Sequence, residues 1–192
     1  MKKLLNIFII SFLLYSCNSS NINTVNTAPA TKPIPSGKKI LLSSIIPHFF
    51  SDSLKKDTFK LVLTGDSITT SKAVLSIISH KGQQIYVDTF DSYWLEEISA
   101  EHGEPTVSQY ETSIKHKVSR FFDDSNFVNA LRIPAIGTCG DHGYPDSVNW
   151  FDIHSDKKVI GFHYWFDGAV DDNYLAWSKK QQKVVIYWYN ND

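Results

Sequence analysis

Two stretches of the chain place reactive side chains at spacings that could do chemistry. The first is Phe59-Lys-Leu-Val-Leu-Thr-Gly-Asp-Ser-Ile-Thr69, where an alternating apolar run delivers Ser67 at its end. A serine in that position acts as a nucleophile only when a base removes its proton. The second is Thr138-Cys-Gly-Asp-His-Gly-Tyr-Pro-Asp146, with Asp152 and His154 just downstream. One thiolate and two imidazoles, from Cys139, His142 and His154, are ligand types that suit zinc. The same loop could hold a Cys-His nucleophile pair. Its spacing matches no standard zinc module, and Gly, Pro and Asp in such a loop also satisfy their own backbone as turns.

Gly65-Asp66-Ser67-Ile68-Thr69 resembles the first motif of the GDSL-type serine hydrolases, and that resemblance implies an esterase with Ser67 as nucleophile. Other parts of the family pattern are missing. An Asp-x-x-His should supply the base near the C-terminus, and no histidine here has an aspartate three residues before it. Asp152-Ile153-His154 is one residue short, and there is no Gly-x-Asn-Asp for an oxyanion hole. The family's parallel fold also requires a helix after the serine, whereas the residues after Ser67 read as a second strand. Turn chemistry accounts for the same letters, with Gly65 at positive φ and Asp66 or Ser67 bonding the local backbone. No catalytic residue is assigned.

The elements around these stretches follow from periodicity. Phe59, Leu61 and Leu63 alternate with Lys60, Val62 and Thr64, the period of a half-buried strand. Ala73–Ser79 and Ile85–Phe90 read as two more strands joined by a hairpin at His80-Lys-Gly-Gln83. The period then changes. Thr106 and Gln109 are spaced as a capping box, and Val107, Tyr110, Ile114, Val118 and Phe121 form one helical stripe. Residues 123–156 read as a loop with a short helix near Val148. Val159–Phe166, Tyr174–Ser178 and Val184–Tyr189 close the chain as strands, with turns at Asp167-Gly168 or Asp171-Asp-Asn173 and at Lys179–Gln182. This order predicts an α+β fold, an antiparallel sheet of about six strands with one main amphipathic helix packed on one face.

Alternation in the last strands puts Phe162, Tyr164 and Phe166 on one face, with His163 and Trp165 on the other. It would add Ile186 and Trp188 to one face and Val185, Tyr187 and Tyr189 to the other. Aromatic groups left on an uncovered face could bind a protein, peptide or glycan, and they also serve as ordinary core in strands.

The N-terminus carries an address. Lys2 and Lys3 precede the apolar run Leu4–Leu14, which is too short for a hydrocarbon core that needs about 20 residues. Leu14-Tyr15-Ser16-Cys17 follows and resembles the lipobox of bacterial lipoproteins. Tyr15 is bulkier than the usual residue there. The resemblance implies a signal peptide at 1–16 and lipid attachment, including an acyl chain such as palmitate, at Cys17. More than one acyl chain gives a stable anchor. Residues 17–37, rich in Asn, Ser, Thr, Ala and Pro, lack the apolar surface to offset ordering and read as a flexible linker. Residues 38–192 are one domain's worth of chain.

Charge excludes one class of partner. The chain has 19 Lys and Arg against 20 Asp and Glu and no basic run, so a nucleic-acid partner has no electrostatic support. With Cys17 acylated, Cys139 is the only other cysteine and no disulfide framework is available. The signal with Cys17, the Asp57–Ile68 and His80–Phe90 strands and the closing Ile160–Phe166 and Leu175–Tyr189 strands together resemble small lipoproteins of unknown function from Bacteroidota-type bacteria. That resemblance implies the cell envelope, with no acidic residue after Cys17 favouring the outer membrane's periplasmic face, and it implies no activity and no cofactor. The sequence is therefore read as a binding or protein-interaction domain on a membrane anchor. A GDSL-like serine esterase using Ser67 and an envelope immunity or inhibitor protein are the alternatives.

Overall fold

The computed structural model describes residues 39–98, 104–129, 143–144, 147–166 and 169–190, and among these are nine strands and two α-helices. Strands β1 (Ile40–Phe49), β2 (Lys56–Thr64), β3 (Lys72–Ile78) and β4 (Gln84–Asp91) pair antiparallel in chain order. Phe59, Leu61 and Leu63 of β2 and Ala73, Leu75 and Ile77 of β3 are fully buried on one face. The alternation expected for β2 holds from Lys56 to Leu61, whereas Val62 and Thr64 on its other face are buried as well. The hairpin between β3 and β4 is also as expected. Gly82 turns it at φ 80°, with its N–H donating to the Ser79 carbonyl at 2.8 Å and the Ser79 N–H donating to the Gln83 carbonyl at 2.7 Å.

The second sheet has the order β5-β7-β8-β9-β6, again antiparallel. Its members are β5 (Phe127–Asn129), β6 (Gly143–Tyr144), β7 (Ile160–Phe166), β8 (Ala169–Ser178) and β9 (Lys183–Asn190). β8 begins at Ala169, so Asp171-Asp172-Asn173 lies in a strand and the alternative turn at 167–168 falls outside the described residues. The mixed, antiparallel α+β class read from the sequence holds. The single sheet of about six strands with one main helix does not. Two sheets face one another, because Phe162, Tyr164, Phe166 and Leu175 share one core with the inner faces of β2 and β3.

Helix α1 (Val107–Arg120) starts with the expected capping box: the Gln109 N–H donates to Thr106 Oγ1 at 3.3 Å and the Thr106 N–H to Gln109 Oε1 at 2.8 Å. Each bond satisfies a donor that the first turn would otherwise leave open. α1 lies against the β2–β3 connection, the exit of β4 and β1. Ile114 and Val118 are buried there, followed by Phe121 and Phe122, while Val107 at the head of the stripe is exposed. At the opposite end of that sheet the buried Asp57 carboxylate accepts from the Ser51 N–H at 2.6 Å and the His80 N–H at 2.9 Å, fastening the β1–β2 and β3–β4 turns together.

A second helix, α2 (Ser147–His154), confirms the short helix expected near Val148 and has a role the sequence reading did not give it. Trp150 and Ile153 pack on Ala176, Val185, Tyr187 and Trp188, on the side of the second sheet away from the shared core. A register shift between Tyr174 and Leu175 skips Tyr187 in the β8–β9 ladder. Strict alternation had Tyr187 and Trp188 on opposite faces, but the bulge lets both pack beneath α2. Among the described residues no helix is long and apolar enough to cross a membrane.

Candidate functional site

Ser67 sits in a tied turn. It is the residue before a short 3-10 helix at Ile68–Thr70, and its Oγ shares hydrogen bonds with Thr70 Oγ1 at 2.9 Å and Thr69 Oγ1 at 3.3 Å. The Ile68 carbonyl accepts from Ser71 Oγ at 3.0 Å and Ser92 Oγ at 2.6 Å. Gly65, at φ 156°, brings its Cα so close to Ser71 that a Cβ would lie 3.1 Å from the Ser71 Cα. Gly65 takes the positive φ expected of a turn, whereas Ser67 bonds the Thr69 and Thr70 hydroxyls and the local backbone bond expected of it is made by Ser71. Ser67 has no imidazole or carboxylate among its hydrogen-bond partners, so nothing there removes its proton.

Of the candidate zinc ligands, Cys139 and His142 lie outside the described residues, as do the signal at 1–16, the linker at 17–37 and Cys17. His154 closes α2 with its ring stacked on Trp150 at a centroid distance of 3.5 Å and its Nδ1 hydrogen-bonded to the Trp150 carbonyl at 3.0 Å. Burial pulls its pKa below the ordinary histidine value. Among the described residues no group of three or more His, Cys, Asp or Glu side chains is placed to hold a metal ion.

A row of rings on the outer side of the second sheet gathers more chemistry. β7 places His163 and Trp165 two residues apart on one face, as the alternation predicts. Register pairs His163 with Tyr174 and Trp165 with Asp172 on β8. His163 stacks on Tyr174 at 4.1 Å and 11° between planes, and on Trp165 at 5.0 Å and 19°. Its Nε2 is 3.0 Å from Asp172 Oδ1, which leaves Nδ1 as the second polar atom of the ring. Burial, with the Asp172 charge, pushes the Tyr174 phenol up to about 12.

Lys117 of α1 ends the row. Its Nζ lies 3.8 Å from the Trp165 ring centroid and 2.6 Å from Glu97 Oε1. A buried ammonium is stable only when paired, and the carboxylate and the indole face supply that pairing. The Glu97 N–H donates to Ser113 Oγ at 2.7 Å, which ties this residue's backbone to α1. A cavity of about 80 Å³ opens beside the pair, lined in part by Arg120, Asp123, Asn126 and Trp165.

Trp165 has Lys117 and His163 against its ring, and His163 has Trp165 and Tyr174. The surface thus offers rings, the half-buried His163–Asp172 pair and the charged groups around Lys117, which suit hydrogen bonds and ring contacts with a ligand. His163 and Trp165 were legible from alternation. Asp172 was read as a turn, and Lys117 and Glu97 look in sequence like ordinary surface charges.

Comparison of the chain with protein-family models, with curated proteins and with solved structures found no match.

Proposed function

We propose that this chain is a lipid-anchored protein of the bacterial cell envelope, attached through Cys17, whose folded domain binds a protein or peptide partner at the Lys117–Trp165–His163–Tyr174 row. The observation that carries the binding reading is the His163–Asp172 pair, half-buried and flanked by stacked rings on a side of the sheet that α2 covers only in part. Ordered aromatic and charged groups of this kind lose little entropy when a partner arrives. An immunity or inhibitor protein would use the same surface with a tighter partner. The esterase reading draws no support from Ser67, whose hydroxyl bonds only Thr69 and Thr70 among the described residues.

The anchor reading rests on the Lys2–Cys17 sequence, and the outer membrane's periplasmic face is its favoured site. A photo-crosslinking residue at position 120, which lines the cavity beside Lys117 and Trp165, with a control at exposed Thr89 on the first sheet, tests the surface in intact cells. The proposal expects a discrete adduct from position 120 and none from position 89. No adduct from 120, or equal adducts from both, overturns it.

A further inference from the structure

Charge is spread unevenly over the chain. The whole sequence has 19 Lys and Arg against 20 Asp and Glu, but segments 147–160 and 175–188 hold Lys157, Lys158, Lys179, Lys180 and Lys183 against only Asp152 and Asp156. All five lysines are exposed. Asp156 is already taken by Lys179, whose Nζ lies 2.6 Å from its Oδ2, and among the described residues no carboxylate forms an ion pair with Lys157, Lys180 or Lys183. Folding brings the two segments together. Gln181 Nε2 of the β8–β9 turn donates to Asn149 Oδ1 of α2 at 2.7 Å, and Ser178 Oγ donates to Asp152 Oδ2. A cavity of about 330 Å³ lies between turn and helix, lined in part by Ser155, Lys179 and Lys180.

Beside the lysines, α2 turns apolar groups outward. Val148, Phe151 and Ser155 succeed one another at three and four, so they share one stripe of the helix, and the Ser155 N–H continues the helical pattern by donating to the Phe151 carbonyl at 3.2 Å. Trp150 and Ile153, on the other side of α2, are buried against the sheet, whereas Val148 is 71% and Phe151 68% exposed. The stripe ends at Ser155, on the wall of the lysine-rimmed cavity.

From this arrangement we propose that the outer stripe of α2 and the lysines beside it dock on an anionic lipid surface, with Phe151 entering the headgroup boundary and the lysines meeting lipid phosphates. An apolar helix face flanked by lysines is the pattern of an interfacial helix, and anionic headgroups attract clustered lysines. Chain length favours the same partner. Cys17 stands 22 positions before Lys39, the first described residue, and a chain of that length spans at most about 80 Å. This second argument rests on the anchor proposed above. A domain so held meets the membrane as an intramolecular partner, for which a weak contact suffices. The docking surface shares no residue with the Lys117–Tyr174 row.

A photo-crosslinking residue in place of Phe151, in the full chain reconstituted with vesicles of phosphatidylcholine alone or mixed with phosphatidylglycerol, tests the docking, with position 89 as control. Flotation with the neutral vesicles, where the lysines gain nothing, reports the anchor, and the adduct formed on the anionic vesicles reports the docking, so the two readings fail separately. The expected result is a lipid adduct from 151 and none from 89 on anionic vesicles, weakened by about tenfold or more in Lys180→Gln/Lys183→Gln. No lipid adduct from 151 on anionic vesicles overturns the inference, and so does an adduct that is unchanged on neutral vesicles and in the lysine variant. An adduct from 151 to a protein in cells, with none to lipid in vesicles, also overturns it in favour of an acidic protein partner.

Discussion

The Tyr187 hydroxyl lies directly over Gly161, in the space where any other residue's side chain would begin. Tyr187 is fully buried beneath α2, and its Oη has no hydrogen-bond partner among the described residues. A Cβ at position 161 would overlap Oη and come within 3.3 Å of Tyr187 Cζ. The ring cannot swing aside, because Trp150, Val185 and Trp188 share its cluster.

Gly161→Ala is expected to cost about 1–3 kcal/mol of stability, as overpacking does. Tyr187→Phe alone should cost little, since it removes a hydroxyl that is desolvated without a bond in return. The double variant should recover part of the Gly161→Ala loss, a coupling of about 0.5–3 kcal/mol in urea denaturation. Strict additivity would show that the hydroxyl is not the obstacle.

Tyrosines on both sides of the second sheet predict an alkaline limit. Tyr164 Oη donates to Asp88 Oδ2 at 2.9 Å and accepts from Tyr86 Oη at 3.1 Å, a chain that links β7 to β4. Burial raises the phenol pKa of Tyr86, Tyr164, Tyr174 and Tyr187 above the ordinary value. In the unfolded chain these phenols ionise near about 10. Below that pH both states hold the protons and stability is unaffected. Above it the unfolded state loses protons that the native state keeps, so stability falls as pH rises. Phenolate absorbance from these residues should appear together with loss of circular dichroism. Their ionisation in a reversible step near pH 10, with the fold intact, would contradict their burial.

Ser67→Ala should leave the fold in place, at a cost of about 0.5–1.5 kcal/mol for bonds to Thr69 and Thr70. A fluorophosphonate reagent should label neither the parent chain nor the variant. Labelling of the parent that disappears in Ser67→Ala would restore the esterase reading.

Periodicity made much of the fold legible. It located β2, the β3–β4 hairpin, α1 with its Thr106–Gln109 cap, and the three long strands of the second sheet, because each shows its buried face as a repeat of two or of three and four. It did not show β1, whose apolar residues come in doublets, Leu41-Leu42 and Ile45-Ile46, ahead of Pro47. Nor did it show that two sheets oppose one another. Alternation marks which residues face a core, and it is silent about which strands form the opposite wall.

The candidate site follows the same division. His163 and Trp165 share a face by alternation, whereas Asp172 joins them only through β7–β8 register. Tyr187 and Trp188 come together under α2 through a bulge that exists only as a relation between two strands. Lys117 is buried only because the indole of Trp165 and the carboxylate of Glu97 converge on it. Tertiary pairing, which no single segment encodes, creates each of these features.

The proposed anchor at Cys17 places the folded domain at a membrane. Metabolic labelling with an alkyne analogue of palmitate, followed by membrane fractionation of the full chain and of Cys17→Ala, tests this. The parent is expected to take up label and sediment with membranes, and Cys17→Ala to take up none and be released. A Cys17→Ala chain that still carries label and stays with the membranes would contradict it.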